Sequence, residues 1–261
     1  MKLKVLSYNI HKGFSGTGMK FTLHAIKKAL RETNADVMLL QEVVGENKKL
    51  GKSIIDWPVQ AQCEFLADDN WPFFSYGKNA VYSERHHGNA ILSRYPILKE
   101  ENINISTNRW EQRGLLHCEV SVPDLNEPLH IFNVHLDLLE SGRKQQFEQI
   151  LERAKSHVPL NTPFLFGGDF NDWSESLHPM CIEHLGAYES HNEVHNTLAK
   201  SFPSFYPKLA LDRLYFKHLK IESSMTLSAG PWADLSDHLP LLVEFTIKEV
   251  EEIKGEPSDE S

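Results

Sequence analysis

Eight polar residues in this sequence stand where apolar segments begin or end, and their side chains suit the binding of metal ions and phosphate. They are two asparagines, two histidines and four carboxylates: Asn9, Glu42, His135, Asp169, Asn171, Asp212, Asp237 and His238. A carboxylate at the end of a buried strand is costly to desolvate unless a cation or a set of donors faces it. An oxygen-rich set of this kind suits Mg²⁺ or Mn²⁺. Each residue taken alone also fits a turn cap, but eight such positions in one chain favour a shared site.

The elements that must position these residues are short strands rich in Val, Ile, Leu and Phe and bounded by turn residues. We predict strands over 2–10, 37–43, 89–93, 115–122, 129–136, 163–168, 212–217 and 240–247. Two helices are predicted, over 22–33 with Thr22 as N-cap and over 141–157. Many strands with few helices between them indicate packed sheets flanked by helices, an α+β or mixed sandwich.

Composition limits the class of protein. The 261 residues hold 27 Lys+Arg against 36 Asp+Glu, a formal net charge of −9, which argues against nucleic-acid binding by a broad basic surface. Residues 248–261 contain six acidic and two basic residues, so we expect an acidic, disordered tail after a domain over 1–247. Three widely separated cysteines, an odd number, argue against a disulfide framework. Without a signal peptide or an apolar span, we expect a cytoplasmic protein with no stable membrane insertion.

The ordered set SYNIH, LLQEV, GNAILSRYPI, VHL, GGDFND, LDRLYF and SDHLPL resembles the endonuclease/exonuclease/phosphatase superfamily. The resemblance runs from about residue 4 to residue 245 and is strongest to small bacterial stand-alone members. It implies a four-layer α/β sandwich of two packed, mostly antiparallel sheets flanked by helices. The active site is then expected at one edge, where the loops after the strands converge.

The resemblance also implies roles for the residues at the strand ends. Glu42, with Asn9 and Asp237 beside it, matches the metal-binding positions. Asp169 matches the aspartate that orients or deprotonates the attacking water, and Asn171, on the same side of an extended segment, is expected to donate a hydrogen bond to a phosphate oxygen.

Two histidines complete the implied set. His238 matches the histidine that contacts the scissile phosphate, and Asp212 matches its carboxylate partner, which sets the tautomer of the ring. His135 matches a second position on the phosphate side.

Weaker candidates for phosphate contacts are Arg113, Asn89 and Lys12, and the pair His86–His87 fits either a substrate contact or an exposed loop. Trp173, just after GDFND, is expected to pack its loop rather than to stack on a base.

These observations predict a Mg²⁺- or Mn²⁺-dependent hydrolase of phosphate esters, foremost a phosphodiesterase or nuclease acting on DNA or RNA. The alternative substrate is a lipid head-group or a small phosphorylated molecule, although no amphipathic membrane helix is seen. A second alternative is a non-catalytic scaffold, which the presence of Asp169, Asp212 and His238 argues against.

Overall fold

A computed structural model of the protein describes residues 1–82 and 84–247. The predicted acidic tail, 248–261, lies outside the described residues. The strands are β1 Lys2–Asn9, β2 Val37–Asn47, β3 Phe73–Tyr82, β4 Arg85–Ser93, β5 Ile97–Asn104, β6 Gly114–Val120, β7 Leu129–His135, β8 Phe164–Asp169, β9 Tyr188–Glu189, β10 Asp212–Lys217, β11 Lys220–Thr226 and β12 Leu241–Thr246. The α-helices are α1 Leu23–Thr33, α2 Lys48–Ser53, α3 Gln62–Ala67, α4 Glu140–His157, α5 Leu177–Met180, α6 Ser190–His195 and α7 Trp232–Leu235. Single turns of 3₁₀-helix at His11–Gly13 and Asp68–Asn70 and a π-helical turn at Cys181–Leu185 complete the elements.

The strands of the described ranges form two six-stranded sheets. Sheet 1 has the order β11-β12-β1-β2-β4-β3 and sheet 2 the order β5-β6-β7-β8-β10-β9. Neighbouring strands pair antiparallel except for β1 with β2 and β7 with β8, which run parallel. A parallel pair needs a crossover connection, and α1 and α4 supply the two crossovers. The predicted sandwich of mostly antiparallel sheets is confirmed.

Three apolar clusters hold the four layers together. The cluster between the sheets takes side chains from both of them. Val5 and Val243 of sheet 1 and Leu116 and Leu165 of sheet 2 are among its buried members. A second cluster packs α1 on the outer face of sheet 1, and a third packs α4 on the outer face of sheet 2. The sheets are therefore fixed on both faces, which gives the loops at their edge a rigid base.

The two helices predicted from periodicity are the crossover helices α1 and α4, and their bounds agree with the prediction within one residue. The predicted apolar face of α1 is buried: Leu23, Ile26, Ala29 and Leu30. Thr22 precedes α1 as predicted but does not cap it, because its hydroxyl donates to the carbonyl of Leu235, 2.7 Å away. Among the described helices, none is long and apolar enough to pass through a bilayer.

Four strands were not predicted, and these are β3, β5, β9 and β11. Each of them lies at an outer edge of its sheet. An edge strand has a partner on one side only and faces water, so it does not need the apolar run that marks an interior strand. Strand β5, ILKEENIN, is exposed along most of its length and illustrates this.

A network of buried amides joins the two sheets close to the edge where Glu42 and His135 lie. Asn133 of β7 donates to the carbonyls of Leu40 and Ala90 in sheet 1, at 3.0 and 2.9 Å. Gln41 of β2 donates to Asn133 Oδ1 at 2.8 Å. Asn89 of β4 donates to the carbonyls of Gly114 and Asn133 in sheet 2. We call these three residues, Gln41, Asn89 and Asn133, the inter-sheet amide network.

Candidate active site

The strand pairing brings the polar strand ends together at one edge of the sandwich. His135 is opposite Asp169 across the parallel pair β7–β8, and Asp212 is opposite Asp169 across the antiparallel pair β8–β10. In sheet 1, β12 runs antiparallel to β1, so Asp237 and His238, just before β12, lie near Asn9 at the end of β1. These residues line one cleft of about 430 Å³, except that Asp212 lies buried behind His238.

Asp169 stands at the centre of this cleft and is fully buried but for about 1% of its surface. Its Oδ2 accepts a hydrogen bond from Asn9 Nδ2 at 3.0 Å. The same oxygen lies 3.5 Å from His135 Nε2 and 3.6 Å from His238 Nε2. Burial raises the pKa of Asp169 to about 6. Such a carboxylate is ionised at neutral pH and still basic enough to take a proton from water.

His238 is held by a buried chain of hydrogen bonds. Its Nδ1 lies 2.7 Å from Asp212 Oδ2, which also accepts from the Ser201 hydroxyl at 2.5 Å. Burial opposes the charged form of the ring, but Asp212 and Asp169 together raise the pKa of His238 to about 10. The ring is therefore an imidazolium at neutral pH, with Nε2–H pointing toward Asp169.

His135 differs from His238 in its charge state. Burial and the positive charge of Arg113 lower the pKa of His135 well below its ordinary value. One imidazolium and one neutral imidazole thus lie on the same carboxylate oxygen, and only His238 carries a positive charge there.

Glu42 fits the requirements of a divalent cation. It sits at an irregularity of β2 with a positive φ of 56°, a conformation that turns its side chain into the cleft. Its Oε2 lies 2.5 Å from the ammonium of Lys12. Although burial favours the neutral acid, the charge and hydrogen bond of Lys12 hold the pKa of Glu42 well below its usual range. The carboxylate of Glu42 is therefore ionised, which is the form that binds a hard metal ion such as Mg²⁺.

Asn9 and Asp237 flank the same side of the cleft. Asn9 Oδ1 accepts the backbone N–H of His11 at 3.0 Å, and the Asn9 carbonyl accepts from the Ser236 hydroxyl at 2.7 Å. Asp237 Oδ1 lies 3.2 Å from Ser236 Oγ and 3.6 Å from His11 Nδ1. Together with Glu42 they line one part of the cleft, and their side-chain oxygens are of the kind that Mg²⁺ and Mn²⁺ prefer.

Asn171 lines the cleft, but its backbone conformation differs from the one predicted from the sequence. The segment after β8 is not extended, because Asn171 has a φ of 49° and its N–H donates to Asp169 Oδ1 at 3.0 Å. This turn, closed by the Asp169 side chain, is typical of aspartate. One amide N–H of Asn171 donates to the Leu136 carbonyl, and the amide has a second N–H for a ligand.

The weaker candidates divide. Arg113 lines the cleft, pairs with Glu111, and has a buried Nε with no hydrogen-bond partner among the described residues. Lys12 lines the cleft as well, and so does His87, which was predicted only as one of two possibilities. Asn89 does not line it, because its amide belongs to the inter-sheet network.

Trp173 is half exposed and lines the cleft, and its ring packs on the guanidinium of Arg143. Trp110, which was not singled out, also lines the cleft and is 79% exposed.

Several residues that support the site were not predicted from the sequence. Ser201 and Ser236 orient Asp212 and Asp237, and single serines carry no pattern by which to find them. The fully buried Arg213 binds Asp172 at 3.0 Å, directly after the Asp169–Asn171 turn. The sequence signal for this pair is the arginine of LDRLYF, because a charged residue inside an apolar strand needs a buried partner of opposite charge.

Comparison with known proteins agrees with this geometry. Residues 6–238 match the model of the Endonuclease/Exonuclease/phosphatase family. The chain is 40% identical over 243 residues to the uncharacterized protein YbhP of Escherichia coli K12, covering 93% of this chain and 95% of YbhP.

Solved structures share the fold. The endonuclease/exonuclease/phosphatase from Beutenbergia cavernae superposes with a TM-score of 0.78 at 19% identity, covering 94% of this chain and 72% of that one. D. rerio TDP2 complexed with a single-strand DNA product superposes with a TM-score of 0.68 at 16% identity, covering 94% and 99%.

Proposed function

Because this chain belongs to the endonuclease/exonuclease/phosphatase family, whose members are in general metal-dependent hydrolases of phosphate esters, we propose that it is a divalent-metal-dependent phosphodiesterase. The observation that supports this best is the surrounding of Asp169 Oδ2, where Asn9, His135 and His238 converge within 3.6 Å. One carboxylate, one cationic ring and amide donors around a small space suit a water and a phosphate in contact.

In the proposed reaction, Asp169 holds a water and accepts its proton as the water oxygen bonds to phosphorus. The bond from phosphorus to the ester oxygen breaks in line with this attack. His238, kept as an imidazolium by Asp212, donates from Nε2 to a non-bridging oxygen on which charge builds. The second amide N–H of Asn171 would donate to the same group, and Arg113, which lines the cleft, would add positive charge beside it.

Glu42, Asn9 and Asp237 would hold the Mg²⁺ or Mn²⁺ ion. When bound, the ion supplies positive charge that neutralises the phosphate and the leaving oxygen. Lys12, whose ammonium contacts Glu42, lines the same cleft and would add positive charge near the substrate phosphate.

The test is hydrolysis of bis(p-nitrophenyl) phosphate with Mg²⁺ or Mn²⁺, with and without EDTA, and with Asp169→Asn as the matched variant. We expect turnover that EDTA abolishes and that the variant loses by about 10²–10⁴-fold, since its amide cannot take a proton. Circular dichroism checks that the variant is folded.

Two outcomes count against the proposal. Turnover that survives EDTA, or equal turnover in Asp169→Asn, contradicts the assigned chemistry. Hydrolysis of p-nitrophenyl phosphate, a monoester, without hydrolysis of the diester would replace the diesterase with a phosphatase. Plasmid DNA, single-stranded DNA, RNA and short-chain phospholipids then sort the substrate.

A further inference from the structure

The two walls of the cleft differ in character. The wall from sheet 1 is polar and charged, and its residues include Lys12, Glu42, His87 and Asp237. The wall from the loops of sheet 2 carries large apolar side chains, Trp110, Leu138, Trp173 and Leu209. Each of these four is between about a third and four-fifths exposed. Exposed apolar groups gathered at a cleft indicate a binding surface.

Trp173 is the best-defined member of the apolar wall, because a buried cation supports its ring. The guanidinium carbon of Arg143 lies 4.9 Å from the centroid of the indole. Arg143 is itself 1% exposed and donates to the Leu138 and Asp137 carbonyls at 2.7 and 3.3 Å. Its Nη2 also lies 3.6 Å from Asp172 Oδ1. A half-exposed tryptophan is thus held in place before any ligand arrives, which lowers the entropy cost of binding.

Trp173 also stands close to the proposed chemistry. It follows Asn171 by two residues and Asp169 by four, and all three line the same cleft. A group ester-linked to a phosphate between Asp169 and His238 therefore lies against the apolar wall. The cleft volume of about 430 Å³ is at the small end for ligand sites, and it suits a compact planar group better than a long chain.

We propose that Trp173 is a stacking subsite for a planar aromatic group of nucleobase size, ester-linked to the phosphate that the enzyme cleaves. The inference rests on the proposed function for the position of the phosphate. Trp110 and Leu138 add apolar surface to the same cleft. The rigid indole selects a flat partner, and the phosphate lies between Asp169 and His238 as in the proposed reaction.

The test compares two probes that differ only in the base, adenosine 5′-monophosphate and ribose 5-phosphate, by calorimetry in Mg²⁺ buffer. We expect the nucleotide to bind more tightly by roughly 5- to 150-fold, the range of stacking on one aromatic side chain. Trp173→Ala removes this preference, and Trp173→Phe keeps most of it. Ile55→Ala, at a fully exposed apolar residue outside the cleft lining, leaves the preference unchanged.

The outcomes separate this inference from the proposed function. Intact diester hydrolysis with equal affinity for the two probes overturns the subsite and leaves the enzyme activity standing. A preference for the nucleotide that depends on Trp173, without hydrolysis of any ester, supports the subsite and refutes the hydrolase. Turnover of monomeric dihexanoyl phospholipid that falls in Trp173→Ala, with unchanged nucleotide affinity, assigns the wall to acyl chains instead.

Discussion

At the scale of single residues, the site depends on groups that alter one another's charge. Asp169 is a weaker acid because it is buried, and His238 is a stronger base because Asp212 and Asp169 face it. The identities of these residues could be predicted from motif order. Their charge states could not, because each depends on distances between segments that are far apart in the chain, such as Ser201 and Asp212 beside His238.

We expect Asp212→Asn to lower kcat for the diester by about 10²–10⁴-fold with little change in KM. The carboxylate both charges and orients the His238 ring, and an amide does neither reliably. Ser201→Ala removes only one hydrogen bond to Asp212 and is expected to cost about tenfold or less. Steady-state kinetics on folded variants measures both, and equal effects of the two substitutions contradict the proposed role of Asp212.

At the scale of elements, interior strands and crossover helices were predictable and edge strands were not. Burial on both faces imposes an apolar run on β1, β2, β7 and β8, and the run is readable in sequence. Strands β5 and β11 are edge strands that are exposed to water on one side, and they show no such run. The candidate site was predictable for the same reason: most of its residues lie at or beside the ends of interior strands, which can be located in the sequence.

A buried histidine pair also lies at this scale, between β6, β7 and α4. His117 Nε2 is 3.0 Å from His130 Nδ1, and Arg153 Nε donates to His117 Nδ1 at 3.2 Å. Glu119 lies close enough to join the pair as a third potential ligand. Burial and Arg153 lower the pKa of His117 to about 3, and burial lowers that of His130.

The pair makes folding sensitive to acid. Below the ordinary histidine pKa of about 6.5, His117 binds a proton in the unfolded chain but stays neutral in the folded protein. The free energy of unfolding therefore falls as the pH drops from about 6.5 toward 3. We expect His117→Leu to reduce this slope by up to about 1.4 kcal/mol per pH unit. Urea unfolding between pH 7 and 5 measures it, with exposed His184→Leu as the control. Identical slopes in wild type and His117→Leu would contradict the expectation.

At the scale of the whole molecule, the inter-sheet amide network sets how the two halves of the cleft face each other. Apolar contacts between the sheets do not by themselves fix one alignment, whereas the directional hydrogen bonds from Asn133 to Leu40 and Ala90 define one. Glu42 follows Gln41 of this network and His135 follows Asn133 by two residues. The network therefore positions the proposed metal residue Glu42 against His135 on the proposed phosphate side.

We expect Asn133→Ala to lower the free energy of unfolding by about 2–4 kcal/mol, because it leaves Gln41 and two buried carbonyls without their partner. Urea denaturation measures the change. Asn126→Ala, at an exposed position, is expected to have an effect within about 0.5 kcal/mol. A loss in Asn133→Ala no larger than in Asn126→Ala would show that packing alone aligns the sheets.

The pairing of β1 with β12 has a consequence for the protein during its synthesis. Strand β1 is made first, yet its partner β12 is formed from residues 241–246, and the N-terminal ammonium donates to the carbonyl of Ile247. During synthesis, Asn9 therefore cannot contact Asp237 or His238 until nearly all of the described chain has left the ribosome. A nascent chain carries Asp169 and Glu42 long before it carries His238, so the proposed catalytic site is incomplete until the sandwich closes.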